Sequence, residues 1–227
     1  MPRASVASPL RAPPDERPVA ALAAVRAGAA DLSEVEQAAE GCRACSLYAR
    51  ATQTVFGKGP VPARLMLVGE QPGDREDLAG EPFVGPAGGI LAKGLEEAGI
   101  DRETAFVTNV VKHFKWRPAP GGKRRLHEKP NKVEVGACLP WVESELALVQ
   151  PEALVLLGAT AATALAGSGV SVLRDRGKPL ESPLAPRVVA TVHPSSILRA
   201  GEGRDAAYAA FVKDLRSIAR WLERRAA

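Results

Sequence analysis

Leu65–Gly88 reads LMLVGEQPGDREDLAGEPFVGPAG, an apolar run that breaks directly into a polar loop. The run Leu65–Val68 is typical of a parallel strand that is buried on both faces. Gly69 to Gly73 then turn the chain, so the strand places Glu70 at its carboxyl end. In open α/β sheets, ligands bind beyond the carboxyl ends of the strands. The segment therefore predicts both a buried strand and a ligand site at its end.

The loop after this strand carries acidic, amide and aromatic side chains. Those expected to face a ligand are Glu70, Gln71, Asp74, Asp77 and Phe83. A solvated acidic loop is the alternative, and Asp74 and Asp77 are the weakest candidates because some acids must simply face water. Proline and glycine stiffen the loop near both ends, and a loop that only faces water needs no such restraint. We therefore favour a ligand-binding loop.

Strands and helices alternate along the rest of the chain. Strands are predicted at Arg64–Gly69, Thr104–Lys112, Ala153–Gly158 and Arg187–Val192. Helices are predicted at Ser33–Gly41, Gly88–Ala98, Val133–Val149, Ala159–Ala166 and Asp205–Arg225, the first with Ser33 as N-cap and Glu36 completing a capping box. Right-handed crossovers place each connecting helix against the sheet, so the alternation predicts an α/β fold with a parallel sheet and helices on both faces.

Length and composition favour a single domain with a tail. The chain has 227 residues and 46% hydrophobic content, enough to bury one core. Residues 1–30 are rich in Pro, Ala and Arg and are predicted to form a flexible tail, because their prolines interrupt any helix. The domain is then residues 31–227. No apolar run reaches membrane-spanning length and no secretory signal is recognisable, so a soluble, cytoplasmic monomer is expected.

Charge and cysteine usage indicate a polyanion partner and a metal. Basic residues number 30 against 26 acidic ones, and they are densest in Lys123–Lys132. Such a cluster suits a polyanion, although basic runs are usually only solvated. The three cysteines are an odd number, which argues against a disulfide framework. Cys42 and Cys45 form a CxxC pair, and a metal site is favoured.

Two further strand ends carry a polar residue, Asn109 in FVTNVVK and His193 in ATVHPSSILR. A satisfied core amide is the plain interpretation of Asn109, since an unpaired buried amide is costly. A carboxamide also matches the N3–H donor and O4 acceptor of uracil and mismatches cytosine. His193 is followed by Ser195 and Arg199, a hydroxyl and a cation suited to a phosphate, so we favour a catalytic histidine over a structural one.

Four motifs in this order resemble the uracil-DNA glycosylase superfamily, its iron–sulfur branch, and within that branch the UdgX group. They are GEQPGDREDLAGEPFVGPAG, TNVVKHFKW, GGKRRLHEKP and HPSSILR. The resemblance covers the chain from about Asp31 onward. It implies a three-layer α/β/α fold with a short central parallel sheet. It also implies a base-flipping pocket and action on uracil-containing DNA, with a single-stranded substrate expected.

The resemblance also assigns roles to single residues. Asn109 would read the uracil edge, Phe83 would stack on the flipped base, and His193 would stabilise negative charge on uracil O2 as the glycosidic bond breaks. Glu70 would face the scissile bond, either stabilising the sugar cation or accepting a proton. His127, in the loop GGKRRLHEKP, would attack the sugar. The basic residues expected to contact the DNA backbone are Lys123, Arg124, Arg125 and Lys129.

The expected metal ligands are Cys42, Cys45, His113 and Cys138. The resemblance implies a 4Fe–4S cluster in which His113 occupies a place that is commonly a cysteine, a departure shared by UdgX-like sequences. A structural zinc ion suits the same donors, and an unliganded buried histidine is the remaining alternative. Either metal would tie the N-terminal helix to the domain.

Three functions are then compatible with the sequence. The first is a glycosylase that excises uracil and stays covalently attached to the abasic sugar through His127. The second is a conventional glycosylase with turnover, in which His127 touches phosphate. The third is a non-catalytic iron–sulfur protein that binds nucleic acid, which the presence of Asn109, Glu70 and His193 disfavours.

Overall fold

A computed structural model describes residues 15–122 and 124–226. The strands are β1 Leu65–Gly69, β2 Ala105–Asn109, β3 Trp116–Pro118, β4 Arg125–His127, β5 Ala153–Leu157, β6 Pro179–Leu180 and β7 Arg187–Thr191. The helices are α1 Arg17–Arg26, α2 Leu32–Glu40, α3 Asp74–Ala79, α4 Pro86–Glu97, α5 Lys132–Val149, α6 Ala159–Ala166, α7 Val172–Asp175, α8 Pro194–Leu198 and α9 Arg204–Ala226. Within the described ranges, no helix is both long and apolar enough to cross a membrane.

A five-stranded sheet has the order β2-β1-β5-β7-β6, and all of its pairings are parallel except that of β6 with β7. Alternate residues of β1 enter different cores, because successive side chains of a strand point to opposite faces. Leu65 and Leu67 pack with α4, α8 and α9, whereas Met66 and Val68 pack with α1, α2, α5 and α6. The predicted three-layer α/β/α architecture is confirmed, with β6 as a short antiparallel addition.

The predicted flexible tail is wrong for residues 17–26, which form α1 and pack against α5. Pro18 does not interrupt this helix because it lies in the first turn, where its missing N–H is not needed. Leu22 and Val25 are buried and join the core. Residues 1–14 lie outside the described part of the chain.

The predicted N-cap of α2 is two residues too late. Asp31 is the N-cap, and its carboxylate accepts from the Glu34 backbone N–H while the Glu34 side chain accepts from the Asp31 N–H. This reciprocal capping box replaces the one predicted for Ser33 and Glu36. The helix ends at Glu40, one residue before the predicted end at Gly41.

A small hairpin lies outside the main sheet. Strands β3 and β4 pair antiparallel, with Trp116 opposite His127. The sequence predicted a single long strand to Lys112 and no hairpin, whereas β2 stops at Asn109. Each hairpin strand has only three residues, too few to show a periodic pattern. This hairpin carries His127 back over the carboxyl ends of the sheet strands.

Candidate active site

A cavity of about 910 Å³ opens at the carboxyl ends of the parallel strands. Its walls include the ends of β1, β2, β5 and β7, as expected for an open α/β sheet. The predicted residues that line it are Glu70, Gln71, Asp74, Phe83, Asn109, His127, Lys129, His193, Ser195 and Arg199. Asp77, Arg124 and Arg125 do not line it. The cavity therefore gathers most of the predicted site, from segments far apart in the chain.

Asn109 presents an unused hydrogen-bonding group to this cavity. Its side chain is 3% exposed, and among the described residues its buried Oδ1 has no hydrogen-bond partner. Buried amide oxygens in proteins are normally paired, so this one is available to a group that enters the cavity. Gly69 makes room for it, because a Cβ there would lie 2.3 Å from Asn109 Oδ1. The carboxamide is therefore held at the wall of the cavity.

Phe83 is held in an uncommon backbone conformation beside Asn109. Its φ is 59°, in the left-handed region that non-glycine residues seldom adopt. Gly88 permits this loop, because a Cβ there would lie 1.7 Å from the Phe83 carbonyl oxygen. The Phe83 ring stacks on His193 with centroids 6.1 Å apart. A backbone conformation of this kind is strained, and strained residues in proteins are concentrated at active sites and ligand contacts.

Glu76 fixes the same loop, and the sequence did not single it out. This buried carboxylate accepts a 2.8 Å hydrogen bond from the backbone N–H of Gly85. Gly85 is the N-cap of α4 and has no side chain of its own with which to cap the helix. Glu76 therefore supplies the acceptor and anchors the end of the Phe83 loop. Four acids lie between Glu70 and Asp77, and their spacing alone does not say which is buried.

His193 is arranged as a neutral hydrogen-bond donor. The Ser195 backbone N–H donates to His193 Nδ1 at 3.2 Å, so the ring proton belongs on Nε2. Burial, with smaller contributions from His127 and Arg199, lowers the pKa of His193 to about 4. At neutral pH the imidazole is therefore uncharged, with an Nε2–H free to donate.

Glu70 lies between the hairpin and the start of α6. Its Oε1 is 3.4 Å from His127 Nε2, and its Oε2 accepts a hydrogen bond from Thr160. The His127 side chain is half exposed. Partial burial lowers the pKa of His127, Glu70 opposes that change, and Arg199 adds to it. His127 is therefore mainly neutral at pH 7, with one ring nitrogen carrying a free lone pair.

Gln71 holds the hairpin in place. Its side-chain amide donates to the carbonyl oxygens of Lys115 and Glu128, and its Oε1 accepts from the Lys115 N–H. Both amide donors are thus occupied by backbone on either side of the hairpin. Gln71 also lines the cavity, so its predicted substrate contact stays a prediction beside this positioning role.

Asp77 and Arg125 form a second clamp on the hairpin. Asp77 is fully buried and accepts from Thr52 and from Arg125 Nη1, while Arg125 Nε pairs with Asp74. The Arg125 guanidinium also lies over the Phe114 ring, 5.4 Å from its centroid. The predicted substrate contact of Asp77 and the predicted DNA contact of Arg125 are therefore corrected. Both residues bind β4 to α3, and Asp74 is engaged in the same ion pair.

The other basic residues of the loop stay available. Arg124 and Lys129 are exposed, and Lys129 lines the cavity. Lys123 lies outside the described residues. Arg199 is exposed at the cavity wall beyond α8. Lys129 and Arg199 therefore place positive charge at the cavity wall, where a polyanion would approach.

Three cysteines lie in one region between α2 and α5. Trp141, one turn after Cys138 on α5, donates its indole N–H to Cys42 Sγ at 3.3 Å. Burial raises the pKa of Cys138 to about 12, and the neighbouring thiols of Cys45 and Cys42 add to that rise. Soft thiol donors of this kind suit iron–sulfur or zinc chemistry.

The fourth predicted ligand is oriented differently. His113 Nε2 lies 3.1 Å from Thr54 Oγ1, and burial lowers the pKa of His113, which keeps the ring neutral. Among the described residues, no three His, Cys, Asp or Glu side chains surround a common point that could hold a metal ion. The thiols fit a metal by their chemistry, and the Thr54 contact uses only Nε2 of His113, which leaves Nδ1 as the ring nitrogen that could bind a metal.

A buried ion pair joins the segment after β2 to α5, and the sequence did not reveal it. Lys112 Nζ lies 2.6 Å from Glu145 Oε2 and donates to the Asn109 carbonyl at 2.8 Å. Both side chains are at most 1% exposed. Burial raises the pKa of Glu145, an effect that Lys112 opposes. The sign of this ion pair in the sequence was Lys112, a charged residue at the end of the apolar run FVTNVVK.

Known proteins show clear similarity to this chain. A model of the Uracil DNA glycosylase superfamily matches residues 56–216. A type-4 uracil-DNA glycosylase of Thermotoga maritima is 37% identical over 166 residues, or 73% of this chain and 82% of that relative. One from Pyrobaculum aerophilum is 35% identical over 192 residues, or 82% of this chain and 91% of the relative. One from Archaeoglobus fulgidus is 33% identical over 174 residues, or 74% and 83%.

The matched segment contains the cavity and most of its walls. It begins before β1 and ends within α9, so it spans the five-stranded sheet and the hairpin. The predicted family is therefore confirmed at the level of the superfamily. This chain belongs to the uracil DNA glycosylase superfamily.

Proposed function

We propose that the protein excises uracil from DNA and then remains bound to the abasic sugar through His127. Asn109 provides the main support, because its buried Oδ1 has no hydrogen-bond partner in the described part of the chain and the residue lines the cavity. Its amide and carbonyl groups complement the O4 acceptor and N3–H donor of uracil. The type-4 uracil-DNA glycosylases named above are consistent with the excision step.

Excision breaks the bond between C1′ of the deoxyribose and N1 of uracil. The electron pair leaves with uracil, and the sugar becomes an oxocarbenium-like cation. His193 Nε2–H is the donor that stabilises the anion at uracil O2. A donor aimed at developing charge contributes about 3–4 kcal/mol in comparable sites. The Glu70 carboxylate faces the cationic sugar and stabilises it electrostatically.

Capture of the sugar then requires a neutral nucleophile close to C1′. A ring nitrogen of His127 supplies the electron pair for the new bond, and the imidazole becomes positively charged. Glu70 Oε1 lies beside this ring and stabilises that charge. A fixed imidazole has a high effective concentration relative to water, so it competes successfully for the sugar. The protein would then act once.

Conventional turnover is the second candidate. Glu70 also lies where it could orient a water molecule towards C1′, and His127 would then contact only phosphate. The half-exposed position of His127 is compatible with that role. The two candidates differ in the product, since one gives a protein–DNA bond and the other gives free abasic DNA.

A denaturing gel after heating in detergent separates these candidates. The parent and His127→Ala are each incubated with the same uracil oligonucleotide, and an oligonucleotide with thymine in place of uracil is the control. We expect a slowly migrating adduct for the parent on uracil DNA alone, and none for His127→Ala. An adduct that persists in His127→Ala would move the nucleophile elsewhere. Free abasic DNA with multiple turnovers by the parent would establish conventional turnover, and unchanged DNA would exclude both.

We also propose that Cys42, Cys45, Cys138 and His113 hold a 4Fe–4S cluster that ties α2 to α5. The proximity of the three thiols supports a metal, and structural zinc is the alternative. When bound, the cluster would cross-link α2 and α5, and it would take no part in breaking the bond to uracil. Purified protein is expected to be brown and to contain iron and acid-labile sulfide. Stoichiometric zinc without sulfide would overturn the cluster.

A further inference from the structure

Thr160 contacts Glu70 inside the cavity and has no role in the function described so far. It lies in the first turn of α6, directly beyond the carboxyl end of β5, and is 9% exposed. Its Oγ1 donates a hydrogen bond to Glu70 Oε2. The other carboxylate oxygen, Oε1, is the one that faces His127 Nε2 at 3.4 Å. The two oxygens of Glu70 therefore have different partners.

This division matters because a glutamate side chain has several accessible rotamers. Without a second contact, Glu70 could turn away from His127 towards solvent, since its side chain is 20% exposed. The Thr160 hydroxyl holds one oxygen, and the planar carboxylate then fixes the direction of the other. A single hydroxyl thus determines where the charge of Glu70 points.

The contact between Thr160 and Glu70 lies at the N-terminus of α6. The N-cap of this eight-residue helix is Gly158, which has no side chain to satisfy the first turn. A carboxylate near a helix N-terminus is stabilised by the unpaired N–H groups and the helix dipole. Gly158 also permits close packing, because a Cβ there would lie 3.0 Å from His193 Cβ.

We propose that Thr160 is a positioning residue whose hydroxyl holds the Glu70 carboxylate with Oε1 directed at His127. This inference rests on the proposed function of Glu70 and His127. Loss of the hydroxyl should slow capture of the sugar without weakening the binding of DNA, because Thr160 itself offers no group to the phosphates.

The test compares Thr160→Val, which keeps the shape and removes the hydroxyl, with Thr160→Ser, which keeps the hydroxyl. At saturating uracil oligonucleotide, Thr160→Val should form adduct more slowly by up to about 100-fold, with an unchanged Kd for DNA. Thr160→Ser should restore most of the rate. Equal rates for Thr160→Val and the parent would overturn the proposal, and so would a Thr160→Ser variant as slow as Thr160→Val. If Thr160→Val does not fold, Thr160→Ala takes its place.

A second measurement needs no reaction. The protein has three histidines, so the ring protons of His127 can be assigned and titrated by NMR in the DNA-free protein. The charged and titratable groups around His127 are Glu70, Arg199 and His193. Because Glu70 raises the pKa of His127, release of Glu70 in Thr160→Val should lower that pKa, while Thr160→Ser should match the parent. Identical titrations in all three proteins would exclude the positioning role. A parent that titrates as expected but forms neither adduct nor abasic DNA would refute the proposed function instead.

Discussion

The protein's three histidines lie in three different environments. His113 is buried against Thr54, His193 accepts from the Ser195 backbone N–H, and His127 is half exposed beside Glu70. Only His127 combines access to the cavity mouth with an adjacent carboxylate. Its environment, rather than its residue type, distinguishes the proposed nucleophile His127 from the proposed hydrogen-bond donor His193.

Adduct formation should depend on pH through His127. Only the neutral imidazole of His127 can react. Burial and Arg199 lower the pKa of His127, so the rate of adduct formation should decline only at pH values below the usual histidine pKa of 6.5. Arg199→Gln removes one cause of that lowering, so the pKa should rise and the acidic limb should move to higher pH. The measurement is the adduct rate against pH at saturating DNA. A limb that stays in place would show that Arg199 does not act on His127.

Asn109→Ala should abolish most uracil excision while the fold remains. Two hydrogen bonds to the base disappear, and at about 1.4 kcal/mol each the loss is roughly 100-fold. The change removes an unpaired buried oxygen, so it should not reduce the free energy of unfolding. Single-turnover excision and urea unfolding test the two halves separately. A variant that excises uracil like the parent would show that Asn109 does not read the base.

The hairpin β3–β4 is the element that places His127 beside the carboxyl ends of the sheet strands. Gln71 clamps both sides of it, and Arg125 joins it to the buried carboxylate of Asp77. Two consecutive arginines of the hairpin region therefore differ in their contacts. Arg124 is exposed, whereas Arg125 forms an ion pair with Asp77.

Arg125→Gln should destabilise the protein by about 3 kcal/mol, because it removes one partner of a buried ion pair. Arg124→Gln is the matched control and should change the free energy of unfolding by no more than about 0.5 kcal/mol. Urea unfolding at pH 7 compares them. Equal stabilities would contradict the clamp.

Arg124→Gln should instead affect the approach of DNA. Removing one phosphate contact reduces the slope of log K against log salt by about 0.7–0.9. Binding of an oligonucleotide at several salt concentrations measures this slope, and an unchanged slope would exclude Arg124 as a DNA contact.

The sequence predicted most of the long, regular elements, but it missed the helix α1 and the short elements. The strands β1, β5 and β7 are apolar runs bounded by glycine or polar residues, and their predicted bounds were close. The hairpin was missed because its strands are too short for any period to appear. The role of Asp77 depends on Arg125, 48 positions away, and no local pattern records such a contact. The position of the site could be predicted from the sequence, but the side-chain contacts that hold the hairpin in place could not.

At the scale of the whole molecule, two cores lie on opposite faces of one sheet, and the site lies at its carboxyl edge. The Lys112–Glu145 pair joins the segment after β2 to α5, and the Lys112 backbone N–H donates to Cys138 Sγ at 3.2 Å. Asn109 and the cysteine region therefore share one neighbour. This arrangement connects the end of β2 to the proposed metal region.

Stability should fall as the pH decreases from about 6.5 towards 4, in part because of His193. Its pKa is about 4 in the folded protein and near 6.5 when unfolded, so the unfolded state binds more protons in this interval. Protonation therefore favours unfolding, by at most about 1.4 kcal/mol per pH unit from this residue. Urea midpoints at pH 7 and pH 5 should decline less in His193→Gln than in the parent. An equal decline would locate the acid sensitivity elsewhere.

The contact between the Trp141 indole and Cys42 Sγ also gives the molecule an optical reporter. Iron–sulfur clusters absorb broadly and quench the fluorescence of indoles beside them. The other two tryptophans are placed differently: Trp116 lies on the hairpin and Trp221 lies between the guanidinium groups of Arg187 and Arg225. If the proposed cluster is present, chelation of its iron should brighten tryptophan emission, and Trp141 should be affected most directly because it contacts Cys42. Loss of the cluster could then be followed continuously in unlabelled protein, during storage or in the course of a reaction.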